Sequence, residues 1–212
     1  MRELLEDYGD INKCFDSSGQ TILSLGVERG ALQCVSHLLS AEAADPNRWD
    51  ASERFTPMHS LALTSSNTVE ILDLLVKFGG NINNGVDRNG FSVLHFAVRN
   101  NNITLVKQLL EKRVKTVTKA FHETALHVAA EHDFHQIAEL LLEANRGCVD
   151  SLRDEKERLT PLHVVADSGY SLTCGVLIKA GQYFCRTYRL KLYTNEKLFA
   201  HFNDLIHNEC IT

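Results

Sequence analysis

The sequence predicts an all-α solenoid of stacked helix-turn-helix units joined by hairpin or loop connections. Three observations predict it. One short pattern recurs as Thr56-Pro57-Met58-His59-Ser60-Leu61-Ala62, Ser92-Val93-Leu94-His95-Phe96-Ala97, Thr124-Ala125-Leu126-His127-Val128-Ala129-Ala130 and Thr160-Pro161-Leu162-His163-Val164-Val165-Ala166. A degenerate first copy is Thr21-Ile22-Leu23-Ser24-Leu25-Gly26, so the copies start at 21, 56, 92, 124 and 160, in steps of 35, 36, 32 and 36. Near-constant self-similarity at this period marks a repeat architecture. An amphipathic stretch follows each copy, and turn residues fall at matching places between them.

Each element has a local reason. Leu4-Leu5-Glu6-Asp7-Tyr8-Gly9-Asp10-Ile11-Asn12 reads as a helix end, a glycine stop and the entry to a hairpin. Leu74-Leu75-Val76-Lys77-Phe78-Gly79-Gly80-Asn81-Ile82-Asn83 ends in the same way, with glycine supplying the positive φ of a C-cap. The chain is therefore expected to open inside a repeat, as a shortened cap or as a piece of something longer. Asp16-Ser17-Ser18-Gly19-Gln20-Thr21 and Asp87-Arg88-Asn89-Gly90-Phe91-Ser92 are turns leading into helices. Thr or Ser then caps the helix, and Pro57 and Pro161 follow where a missing N–H costs nothing. The first helix carries small residues such as Ala62, Ala97, Ala129, Ala130 and Ala166, which permit close helix approach. Breaks at Gly30, Asn101-Asn102 and Gly169 lead into the second helix. Its apolar spacing is clear in Val69, Ile71, Leu72, Leu74 and Leu75, in Ile103, Leu105, Val106, Leu109 and Leu110, and in Ile137, Ala138, Leu140, Leu141 and Leu142.

These features resemble the ankyrin-repeat family, whose signature is a turn, Thr-Pro-Leu-His-x-Ala, two antiparallel helices and a Gly-Ala-Asp-Val-Asn exit. The resemblance covers residues 4–181. It implies a curved slab of helices with fingers projecting from it, in which each repeat contacts only its neighbours. It divides the chain into a partial N-terminal repeat or cap at 1–15, five repeats at 16–181 and a C-terminal tail at 182–212. Within the tail, Leu198, Phe199, Phe202, Leu205 and Ile206 have helical spacing, and Asn195 is suited to cap a helix over 195–208. A capping helix for the last repeat is the expectation, with a partner-binding helix or the start of a further domain as the alternative.

Some stretches depart from the family pattern. Repeat one has Ile22 for proline and Ser24 for histidine, so looser packing is expected there. Asp50–Thr56 and Asp154–Thr160 are one residue longer than the turn pattern and lack its glycine, so the pattern does not fix their finger geometry. Lys112-Arg113-Val114-Lys115-Thr116-Val117 has no exit glycine, and an irregular hairpin is expected before the fourth repeat.

Composition narrows the function classes. With 212 residues, net charge −5 and 44% hydrophobic residues, there is ample core material, and the mild acidity argues against a nucleic-acid domain, which usually carries a basic face. No apolar run reaches membrane-spanning length, and the acidic start lacks the apolar stretch of a signal peptide. The six cysteines show no Cys-x-x-Cys pair and are expected as reduced thiols, in the cytoplasm or nucleus. No Gly-x-Ser-x-Gly, phosphate-binding glycine loop or His-Glu-x-x-His is present, so no enzyme and no cofactor is expected. His132 and His135 share a helix face, but they fall at a break between helices with no cysteine support. No metal is expected.

What remains is recognition, by a monomer, of one or more protein partners. The resemblance implies that Thr56, Pro57, His59, His95, Thr124, His127, Thr160, Pro161 and His163 are structural, each histidine holding successive fingers in place. It also implies that partners meet the concave face at the finger tips and at the variable positions Glu28-Arg29, Leu63-Thr64, Arg99-Asn100, Glu131-His132 and Asp167-Ser168. The finger candidates are Arg48, Trp49, Arg54, Phe55, Arg88, Phe91, Phe121 and Arg158. Trp49 either packs against a neighbouring finger or serves as an anchor. Asn83, with Leu75 eight residues before it, matches the family's asparaginyl-hydroxylation spacing beside its role in the hairpin. Two settings are similar to known uses of the family. One is an adaptor or IκB-like inhibitor of a Rel-type transcription factor, and the other is the cytosolic repeat region of a larger membrane protein such as a TRPA-type cation channel.

Overall fold

A computed structural model describes residues 10–40, 44–64, 66–83, 89–116, 123–146 and 159–180. The tail with its expected helix at 195–208, most of the 1–15 segment, and the finger residues Arg88, Phe121 and Arg158 lie outside the described residues. The chain divides into two compact units, Met1–Phe121 and His122–Thr212. The regular elements among the described residues are helices, and an isolated antiparallel bridge joins Phe15 to Thr21.

The first unit holds three helical hairpins: α1 (Ile22–Glu28) with α2 (Leu32–Ser40), α3 (Pro57–Ser60) with α4 (Thr68–Lys77), and α5 (Val93–Arg99) with α6 (Ile103–Glu111). A 3-10 turn, Leu61–Leu63, continues α3. First helices pack on first helices and second on second. Their facing side chains are fully buried, among them Leu72 and Leu75 on α4, Leu94 on α5, and Leu105 and Leu109 on α6. The second unit repeats the scheme with α7 (Ala125–Glu131) and α8 (His135–Ala144), then α9 (Pro161–Ser168) and α10 (Ser171–Ala180).

A left-handed residue joins the two helices of every repeat: Gly30, Asn67, Asn101, Asp133 and Gly169, with φ of 64°, 54°, 51°, 55° and 76°. Asn and Asp tolerate this region better than other side chains. Repeat two is longer here, with twelve residues from Thr56 through Asn67 against ten from Ser92 through Asn101. The longer turn leans back on repeat one. Thr64 Oγ1 donates to Val27 O at 2.6 Å and Asn67 Nδ2 to Gly30 O at 2.8 Å.

Two stretches that depart from the family pattern are described in part; the hairpin at 117–122 and the longer loop at 151–158 lie outside the described residues. The exit after α6 is regular although it lacks glycine. Arg113 takes φ 57° where Gly79 takes 89°, and the N–H groups of Arg113 and Val114 bond to Leu110 O and Leu109 O at 2.9 and 3.1 Å. Gly79 and Gly80 bond to Val76 O and Leu75 O in the same way, at 3.0 and 2.7 Å. The backbone pattern is what closes this helix, and Arg113 bears the strain. Arg113→Gly is accordingly expected to raise stability by about 1 kcal/mol in urea denaturation, and a destabilised variant would contradict this reading.

The longer finger also has a defined geometry. Gly19 N–H donates to Asp16 O and Glu53 N–H to Asp50 O, both at 3.0 Å. Glu53 adopts φ 54° in the place of Gly19. Asp16 Oδ1 accepts from Gln20 N and Asp50 Oδ1 from Arg54 N, both at 2.8 Å. The two tips are therefore the same as far as Arg54, and the extra residue is Phe55.

Candidate protein-interaction surface

The recurring histidines are the joints from which the surface is built. Thr56, Ser92, Thr124 and Thr160 each cap a helix, and the histidine three residues on returns the bond in a capping box. Backbone N–H groups of the four capping residues donate to Nδ1 of His59, His95, His127 and His163 at 3.1 to 3.3 Å. Nδ1 is thus the acceptor and the ring proton sits on Nε2. From there His59 reaches Phe91 O at 3.3 Å and His127 reaches Leu159 O at 3.1 Å, each in the next repeat. In repeat one, Ser24 pairs with Thr21 Oγ1 at 3.0 Å, and Ala51 N–H bonding to Gly19 O at 2.8 Å links the fingers instead.

Asparagines tie the other side of the fingers. Asn12, Asn47 and Asn83 each accept, at Oδ1 and 2.8 Å, the backbone N–H of Asp45, Asn81 and Lys115 in the following repeat. Asn83 N–H in turn donates to Asn81 Oδ1 at 3.0 Å. Asn83 therefore has a place in this ladder.

On these joints the second and third fingers of the first unit gather an aromatic cluster. Trp49 lies over the His59 ring with centroids 5.9 Å apart. Phe55 meets Phe96 at 5.3 Å, and Phe96 meets His59 edge-on at 5.5 Å. Phe91 lies 5.8 Å from both His95 and Phe96. The two histidines are buried, while Trp49, Phe55, Phe91 and Phe96 are each half-buried. The Arg54 guanidinium stands 5.8 Å from the Phe55 centroid. Phe96 was not singled out from the sequence. It occupies the variable motif position held by Leu25, Ser60, Val128 and Val164 in the other repeats.

The remaining candidates are scattered. Arg29 and Arg99 are exposed at the ends of α1 and α5, and Arg99 follows Phe96 by one helical turn. Arg48 Nε bonds to Asn12 O at 3.1 Å. Leu63 is 51% exposed, and Asn100 Nδ2 donates to Ala62 O at 3.3 Å. Both line an open, mostly polar groove of about 780 Å³ with Thr64, Asn67 and Asn102, at the end of the hairpins away from the fingers. Glu131, His132 and Asp167 are exposed in the second unit, where His132 stacks on Phe134 at 5.4 Å. They are not part of the aromatic cluster.

The chemistry available is that of contact. Burial pushes the Cys174 thiol up, as for an inert core residue. The exposed Asp16 carboxyl is held below its ordinary value, first by the Ser18 hydroxyl and then by the Gln20 N–H, which keeps it an acceptor within its own turn. Among the described residues no group of His, Cys, Asp and Glu could hold a metal ion, and no helix is long and apolar enough to cross a membrane.

A sequence model described as ankyrin repeats matches residues 44–120 and 113–187. Among curated proteins, the transient receptor potential channel pyrexia of Drosophila melanogaster is 35% identical over 132 residues, 62% of this chain and 13% of its own length. A transient receptor potential cation channel subfamily A member 1 homolog of Caenorhabditis elegans is 32% identical over 128 residues, 59% of this chain and 10% of its own. The nuclear factor NF-kappa-B p105 subunit of Gallus gallus is 28% identical over 145 residues, 66% of this chain and 14% of its own. The chain thus spans a small part of each of these relatives.

Proposed function

Since the chain belongs to the ankyrin-repeat family, a non-catalytic interaction fold, we propose that it binds a protein partner through the fingers and first helices of its first unit. One observation carries this reading. Trp49, Phe55, Phe91 and Phe96 are held half-buried around two buried histidines, His59 and His95, of which His59 is pinned to Phe91 O in the next repeat. Rigid aromatic anchors beside arginine are the usual composition of a binding hot spot. Pinning them beforehand reduces the ordering cost of association.

Site-specific photo-crosslinking tests the proposal. A photoreactive residue at position 54 or 99 is expected to trap protein partners, and one at the exposed Asp73 on α4 is not. Phe96→Ser, which installs the residue found at the same place in repeat two, should reduce trapping about tenfold with the fold intact. Equal trapping from position 73, or indifference to Phe96→Ser, would place the interface elsewhere.

A finer reading takes the chain as part of the cytosolic repeat region of a transient receptor potential-type channel. The likeness to two proteins of that name supports it. The likeness to p105 supports the alternative of an IκB-like inhibitor. The full-length transcript distinguishes them: membrane-spanning segments downstream of codon 212 select the channel, and a stop there excludes it.

A further inference from the structure

We infer that the partner segment seated on this surface carries a bulky apolar side chain with aspartate or glutamate on either side, an inference that rests on the interaction reading above. The floor of the site is apolar. Phe55, Phe91 and Phe96 are linked ring to ring at 5.3 and 5.8 Å and remain half-exposed. A partner side chain laid there would add ring contacts to the accessible part of this floor.

The rim is cationic. Arg54 stacks on Phe55, and its Nε is used on Ser52 Oγ at 3.1 Å. Arg99 is exposed one turn beyond Phe96. Among the described residues none of these arginines is in an ion pair; the side-chain pairs seen are Lys13 with Asp10 and Lys112 with Asp73. Of the acids in this loop, Asp50 is 8% exposed and accepts from Ser52 Oγ and from the backbone N–H of Arg54. Glu53 at the finger tip is the remaining acid of this loop. Guanidinium groups without carboxylate partners, beside rings, match a carboxylate in both charge and bidentate geometry.

This local sign runs opposite to the chain's net charge of −5. The selectivity must therefore come from short-range contacts, which persist at about 150 mM salt where distant charges are screened.

Trp49 is the sole tryptophan and lies in the cluster, so its emission reports the site directly. The probes are three short synthetic peptides without tryptophan or tyrosine: a Leu-Phe core flanked by Asp and Glu, the same core flanked by Lys and Arg, and an Asp/Glu peptide with a Ser-Ser core. At about 150 mM salt, the acidic Leu-Phe peptide is expected to change Trp49 emission saturably. The other two should bind at least about tenfold more weakly. The double variant Arg54→Glu/Arg99→Glu should weaken the acidic peptide by a similar factor with its thermal melt unchanged. Any of three results overturns the inference: no saturable response to the acidic Leu-Phe peptide, equal binding of either other peptide, or indifference to the double variant. If the peptides fail while crosslinking from positions 54 and 99 still traps a partner in a Phe96-dependent way, the interaction reading stands and only the acidic chemistry falls.

Discussion

Replacing His59 with alanine is expected to lower the stability of the first unit by about 3 kcal/mol. The ring is 1% exposed and joins three things at once. Its Nδ1 satisfies the Thr56 N–H at 3.1 Å, its Nε2 reaches Phe91 O at 3.3 Å, and its faces meet Trp49 and Phe96. Alanine would strand the N–H of Thr56, itself only 5% exposed. An unsatisfied buried donor costs about 1–3 kcal/mol, and the lost packing adds to it. Urea denaturation followed by circular dichroism and Trp49 emission measures the effect. The exposed His132 supplies the control, and its alanine variant should stay within about 0.5 kcal/mol of the parent. His127 makes the corresponding bonds in the second unit, so His127→Ala should destabilise in the same direction. Unchanged melting of His59→Ala would remove the structural role assigned to these histidines.

The second large effect is expected from Gly30→Ala, at about 3 kcal/mol. Gly30 has φ +64°, and a β-carbon there would meet the backbone oxygen of Ser66 at 2.8 Å as well as its hydroxyl. The obstacle is backbone and cannot rotate away. It belongs to the longer turn of repeat two, which is also bonded to Gly30 O through Asn67 Nδ2 at 2.8 Å. Gly169→Ala provides the comparison. Its φ is +76°, but nothing lies within 4 Å of an added β-carbon. Only the left-handed strain of about 1 kcal/mol should appear there. Denaturation midpoints for the two variants settle the matter: equal losses would mean that φ alone decides and that the Ser66 contact is immaterial.

Much of the scaffold was legible because it depends on chemistry at fixed short spacing. The Thr56–His59 and Thr124–His127 pairs, the small residues of the first helices and the apolar face of α6 are all local signals. The turns were half legible. Gly30, Asn101 and Gly169 announce left-handed residues, whereas Asn67 and Asp133 adopt the same conformation without a distinguishing mark, since Asn and Asp serve caps and turns alike. Arg113 shows the limit of propensity, because the hydrogen bonds around it impose a conformation that its side chain disfavours. The asparagine ladder joins residues 32 to 34 apart and becomes visible only when the fingers are stacked.

The surface was legible in part. Trp49, Arg54, Phe55 and Phe91 stand out in turn sequences, where aromatic side chains have no helical core to enter. Phe96 does not, because a ring on a helix at an apolar-looking position reads as core. Its ring meets Phe55 and His59 from the repeat before it and stays half-buried, which no neighbour in sequence announces. Leu63 and Asn100 were grouped with the contacts by position, yet they border a separate groove away from the fingers. Of the two roles left open for Trp49, the ring contact shows the packing one, on His59, with the side chain half-buried.

The one-residue difference between the first two finger loops bears on how such a surface diversifies. The tips around Asp16 and Asp50 share their bonds, and the additional residue emerges as Phe55 without disturbing the helices on either side. Insertion, rather than substitution, is then a cheap evolutionary step. A duplicated codon after the tip delivers a new side chain to the outside while the bonded turn keeps its form. A binder engineered on this chain could draw on the same freedom by varying loop length just after Gln20 or Arg54, so that length itself becomes a determinant of what is bound.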